Sequence, residues 1–115
     1  MDYKIIFSGP AIDDLENIVR FIARDNQEEA SRFGGKLIGS VRNLSKFPRS
    51  GRVVPEQNDE NVREIIFKPY RIFYRVKDKT HVVEIIRFWH AARGNPEILF
   101  SIAHCKFNTF QTLRP

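Results

Sequence analysis

Residues 62–93, VREIIFKPYRIFYRVKDKTHVVEIIRFWHAAR, leave this chain few choices of fold. Three β-rich apolar runs follow one another with short polar breaks, the pattern of an antiparallel meander. The spacing predicts strands at about 62–68, 70–77 and 81–90, with turns at Lys68-Pro69 and Lys77-Asp78-Lys79. The middle run alternates: Tyr70, Ile72, Tyr74 and Val76 face one way, and Arg71, Phe73 and Arg75 the other. The first set suits a core. The second places guanidinium groups beside an aromatic ring on the opposite face.

The same stretch holds the charge. It carries eight Lys and Arg against three Asp and Glu, whereas residues 1–61 carry nine against ten; the whole chain is +5. A localised basic surface points to a polyanion or an acidic protein partner. Strand edges also carry Lys and Arg simply to prevent edge-to-edge pairing. At 115 residues, 42% hydrophobic and 29% charged, the chain has the composition of one globular domain. No apolar run reaches the length of a membrane span, so no membrane role is expected. The single cysteine, Cys105, excludes an internal disulfide and fits a reducing cytoplasm. No Cys and His spacing suggests a metal, and no cofactor is expected.

Ahead of the meander, residues 3–7 read as a strand. Pro10 suits the first turn of a helix capped by Ser8 or Gly9. Ile12, Leu15, Ile18, Val19 and Ile22 keep helical spacing, which places a first helix at about 10–25. Asn26 followed by Glu29 matches a capping box, so a second helix begins near Gln27, with Ala30, Phe33, Leu37, Val41 and Leu44 inward. Gly34, Gly35 and Gly39 lie within it and either allow a close contact or loosen it. Residues 47–52, FPRSGR, form a loop, and residues 53–61 are polar and irregular. After residue 96 the nearly uncharged tail, 97–115, shows no period and fits a strand, a docked helix or disorder.

The expected fold is α+β: an N-terminal strand and an αα-hairpin packed on one face of a small, mainly antiparallel sheet. The opposite face, with Arg71, Phe73 and Arg75, is expected to be free.

This order of motifs resembles the RelE/ParE superfamily of type II toxin–antitoxin toxins. The residues that carry the resemblance are Pro10-Ala11, Asp14-Leu15, Ile18 and Phe21-Ile22-Ala23, then Asp25-Asn26 with Glu29-Ala30, then Leu44, Phe47-Pro48 and Gly51-Arg52. They continue with Arg63-Glu64, the run from Tyr70 to Val76, and His90 with Arg93. The likeness covers about residues 3–96, a single domain at 1–96, and leaves out the tail. It implies a cytoplasmic growth inhibitor neutralised by a cognate antitoxin. The resemblance leaves two targets. ParE-like members poison DNA gyrase, and RelE-like members cleave mRNA on the translating ribosome without a metal.

RNA cleavage needs a base, an acid and cations around the phosphate. For that chemistry the candidates are Glu64 or His90 as base, His90 or Lys68 as acid, and Arg71 and Arg93 on the phosphate. Lys68, Arg75, Arg87, Trp89 and Arg93 are candidates for holding nucleic acid or another target, with Trp89 either a stacking platform or part of the core. The chain lacks the tyrosine that RelE-like enzymes often carry near the end of the last strand, and it lacks their clustered lysines. The helical hairpin, the FPRSGR loop and the HAAR end are similar to sequences grouped with ParE, and on that resemblance the gyrase-directed reading is preferred. A third reading is an inactive or solitary homologue that only binds an antitoxin.

Overall fold

The computed structural model describes residues 2–93 and 110–112. Among them the elements run β1 (Lys4–Ser8), α1 (Gly9–Ala23), α2 (Gln27–Arg42), β2 (Arg52–Val53), β3 (Val62–Phe67), β4 (Tyr70–Lys77), β5 (Val82–His90) and β6 (Phe110–Thr112). The strands form one sheet in the order β2-β3-β4-β5-β1-β6. The β3–β4–β5 meander is antiparallel as expected, and β2, formed where loop and irregular chain were expected, pairs antiparallel with β3. The N-terminal strand takes its place within the sheet, parallel to β5, after the chain has crossed over through both helices. Within the tail, residues 110–112 pair antiparallel with β1; the rest of the tail, Cys105 included, lies outside the described residues.

Local chemistry sets the helix starts. Ser8 is the cap of α1: its Oγ accepts from the Ala11 N–H at 3.1 Å and donates to the Ile86 carbonyl at 2.8 Å, tying the helix start to the sheet. Asn26 caps α2 by accepting from the Glu29 N–H at 3.0 Å. The apolar stripes of both helices then close over one sheet face. Ile18, Leu37, Val41 and Leu44 meet Phe7, Ile72, Tyr74, Ile85 and Phe88 in the main core.

Of the three helical glycines, only Gly34 is tight. A Cβ there would lie 3.3 Å from Val19, across the hairpin. At Gly35 and Gly39 an added Cβ meets nothing within 4 Å. Gly39→Ala should therefore raise stability by about 0.5–1 kcal/mol, because alanine loses less backbone entropy in a helix. A urea melt checks this by a higher midpoint at unchanged slope.

The opposite face of the sheet is not free, which corrects the expectation from sequence. Phe73 is fully buried, and with Val54, Val62, Ile86 and Trp89 it makes a second, smaller core. The segment expected to be irregular supplies the cover. After β2, the Val54 N–H donates to the Val62 carbonyl at 3.1 Å and the side chain folds inward, followed by a short 3-10 turn at Pro55–Gln57.

Candidate functional site

One irregularity in β5 decides which candidate residues share a face. From the β4–β5 turn the pairing runs Lys77 with Val82 up to Tyr74 with Ile85, and Phe73 then pairs with Arg87. Ile86 is thus the extra residue of a β-bulge. Strict alternation would place Glu84, Ile86, Phe88 and His90 on the Arg71 face. The bulge shifts the parity by one residue. Arg87 and Trp89 therefore join Arg71 and Phe73, while Phe88 and His90 turn to the helix side.

On the Arg71 face, cations and aromatic rings interleave around a buried carboxylate. Glu64 is 1% exposed. Arg71 grips it with a fork, Nε to Oε1 at 2.6 Å and Nη2 to Oε2 at 3.1 Å, and Arg52 Nε reaches Oε2 at 2.6 Å. Burial pushes the Glu64 pKa up, but the hydrogen bonds from Arg71 and Arg52 more than offset this and hold it below the ordinary glutamate value. The Arg71 guanidinium also lies 4.8 Å from the centre of the Phe73 ring. Trp89 carries two guanidinium groups on its ring, Arg87 at 5.3 Å and Arg93 at 4.1 Å. These charged groups help to cover the second core.

Arg87 reaches around the edge of β5 to Asp14 of α1, with Nε–Oδ2 at 2.6 Å and Nη2–Oδ1 at 2.8 Å. The same carboxylate accepts from the Phe88 N–H at 3.0 Å. β1 pairs with β5 only as far as Ile85, so Asp14 supplies an acceptor where the neighbouring strand has ended. Sequence reasoning named Asp14 only among the residues that carry the family resemblance. Nothing local in the sequence links it to Arg87, 73 positions away.

His90 stands apart from this cluster. It pairs with Tyr70, and the two rings meet edge to face at 5.2 Å. Its Nδ1 accepts from the Ala92 N–H at 3.1 Å, which leaves Nε2 as the donor. With Asp14, Asn17, Phe21, Tyr70 and Arg93 it lines a pocket of about 340 Å³ between α1 and the end of β5. Lys68 is exposed in the β3–β4 turn, beside the cis peptide to Pro69. Arg75 is half-buried opposite Glu84 in the pairing of β4 with β5, and Lys77 Nζ lies 3.2 Å from Glu84. The structure thus joins Glu64, Arg71, Arg87 and Trp89 on one side and places His90 on the other, while Arg93 reaches both, lying over the Trp89 ring and lining the His90 pocket.

Among the described residues no group of three or more His, Cys, Asp or Glu side chains could hold a metal ion, and no helix is long and apolar enough to cross a membrane.

Several known proteins are similar to this chain in sequence or in fold. The family described as the ParE toxin of the type II toxin–antitoxin system parDE matches residues 5–94. The proposed toxin Y4kP of Sinorhizobium fredii is 29% identical over 98 residues, which is 84% of this chain and 96% of that protein. Among solved structures, the chromosomal ParDE system of P. aeruginosa aligns with a TM-score of 0.63 at 20% identity, over 76% of this chain and 95% of that one. The RelBE2 toxin–antitoxin complex of Mycobacterium tuberculosis aligns at 0.59 and 22%, over 78% and 99%. A mutant of the E. coli toxin RelE in its free state aligns at 0.57 and 20%, over 90% and 95%. The solved relatives include ParE and RelE proteins alike, so the fold is common to both. The family match, extending from β1 through the last turn after β5, shows that the chain belongs to the ParE toxin family of type II toxin–antitoxin systems, within the RelE/ParE superfamily.

Proposed function

We propose that this toxin arrests growth by binding DNA gyrase, as ParE-like toxins do, and does not cut RNA. The observation that carries this reading is the separation of Glu64 and Arg71 from His90 across the sheet. Glu64 is a poor base, since two arginines hold its carboxylate in the ionised form. Arg71 is occupied by Glu64 and lies on the opposite face of the sheet from His90, so of the two arginines proposed for the phosphate only Arg93 reaches the His90 pocket. Acid–base chemistry requires these groups within hydrogen-bond reach of one reacting centre. Binding a protein target does not.

A cognate antitoxin is the second partner. This rests on solved relatives that were captured as toxin–antitoxin complexes. The acting unit is residues 1–96, since the family match ends at 94.

The test pairs two measurements on the wild-type chain and on His90→Ala. One is supercoiling by the gyrase holoenzyme. The other is transcriptome-wide mapping of mRNA 5′ ends within minutes of induction. The expected result is inhibited supercoiling and no new ends in phase with codons, with arrest by His90→Ala unchanged. Codon-phased ends that disappear in His90→Ala would overturn the proposal in favour of a ribosome-dependent endoribonuclease.

A further inference from the structure

Far from the sheet-face cluster, a groove of about 850 Å³ opens between the start of β1 and the end of α2. Its walls are pinned. The Tyr3 N–H donates to the Ser45 carbonyl at 2.8 Å, and the Ser45 hydroxyl returns a bond to the Tyr3 carbonyl at 2.6 Å. The Ser40 hydroxyl is likewise occupied, donating to the Leu37 carbonyl at 2.7 Å. Gly39 lines the groove and adds no side chain to it; a Cβ there would enter open space.

Lys4, Arg42 and Lys46 line this groove, with Asp2 as its one carboxylate. Several cations elsewhere are paired from within: Arg52 and Arg71 by Glu64, Arg87 by Asp14, Arg49 by Asp78, Lys77 by Glu84. The side chains of Lys4, Arg42 and Lys46 enter none of the ion pairs or hydrogen bonds found among the described residues, and all three are exposed. Among the described residues no ion pair offsets their charge. Long Lys and Arg stems also present apolar surface beneath a charged head.

We infer that this groove is where the toxin grips its protein target, by an acidic segment of the target that carries an apolar anchor. This rests on the proposal above that the toxin acts by binding. Charge complementarity selects an acidic occupant. A nucleic-acid backbone is the poorer fit, because its phosphates would run past Asp2 and the carbonyl end of α2, which carries partial negative charge. A peptide brings amide N–H donors toward those carbonyls together with carboxylates for the three cations.

The experiment uses the full chain and two variants, Gly39→Trp, which fills the groove, and the charge reversal Arg42→Glu with Lys46→Glu. Four quantities are read: growth arrest on expression, inhibition of the gyrase holoenzyme, affinity for the antitoxin encoded beside the toxin, and Tm. Both variants should keep their Tm and antitoxin affinity while losing growth arrest and roughly tenfold or more in inhibition. Undiminished arrest by both variants overturns the inference. So does arrest that persists while antitoxin binding is lost, which makes the groove an antitoxin site. Wild-type binding to a DNA duplex or RNA oligonucleotide that the charge reversal abolishes overturns the choice of a protein occupant. Wild-type arrest without any effect on gyrase removes gyrase as the target, and loss of arrest in the variants then still supports the groove. A wild-type chain that causes no arrest overturns both.

Discussion

Glu64→Ala should destabilise the protein by about 3–5 kcal/mol, because removing one partner of a buried ion pair leaves the other charge uncompensated. Arg71 is only 15% exposed at its side chain and would lose both bonds of its fork. Arg52, 63% exposed at its side chain, can turn to water and adds little to the cost. The loss is a large share of a typical domain stability of about 5–15 kcal/mol. Glu64→Gln keeps the shape and one acceptor oxygen, and should cost less. Urea unfolding at neutral pH measures both. The pH dependence separates them further. The folded-state pKa of Glu64 lies below its ordinary value, so its contribution is complete above the ordinary glutamate range. It is lost as the pH falls from that range through the lowered folded value. The wild-type chain should therefore lose stability across this acid window, and Glu64→Gln should show a shallower fall. Equal slopes would mean that Glu64 is not an ionised, paired carboxylate in the folded protein.

That pair shows how far sequence can be read. The alternation from Tyr70 to Val76 assigns the two faces of β4 correctly, since a strand buried on its helix side repeats every two residues. The Asn26–Glu29 pattern marks a cap because the hydrogen bond it makes is local. The same alternation carried into β5 fails at Ile86. A bulge has no simple sequence mark, and one extra residue reverses every assignment beyond it. Counting by twos puts His90 beside Arg71, and the bulge puts Trp89 there instead. The cover of the second core was illegible for a different reason. Val54 is one of two adjacent valines heading an otherwise polar stretch, and its partners Val62, Phe73, Ile86 and Trp89 come from three strands. Such contacts have no period to detect. The unpaired cations of the β1–α2 groove were hidden likewise, because only the fold brings Lys4 to Arg42 and Lys46.

Gly51→Ala should be comparably damaging, although position 51 lies in a loop. A Cβ at Gly51 would sit 2.5 Å from the Glu64 carbonyl oxygen, 2.6 Å from the Tyr74 hydroxyl oxygen and 2.9 Å from Tyr74 Cε1. Neither neighbour can yield easily. The carbonyl belongs to the β2–β3 ladder, and Tyr74 is fully buried in the main core. The glycine is required by space, and the clash is met either by backbone retreat or by a shifted ring. Retreat weakens the pairing that sets Arg52 opposite Glu64, and with it the clamp on that carboxylate. A shifted ring breaks the bond from the Gly51 N–H to the Tyr74 hydroxyl, 2.9 Å long and buried. Overpacking costs about 1–3 kcal/mol and an orphaned buried polar group about 1–3 kcal/mol more, so a loss of roughly 2–5 kcal/mol is expected. A double-mutant cycle locates the strain. Tyr74→Phe removes the oxygen 2.6 Å from the new methyl, so Gly51→Ala should cost less in that background than in the wild type. Strict additivity would place the strain wholly at the Glu64 carbonyl. In that case Gly51→Ala should also loosen Arg52 and leave a weaker dependence of stability on Glu64 than the intact loop provides.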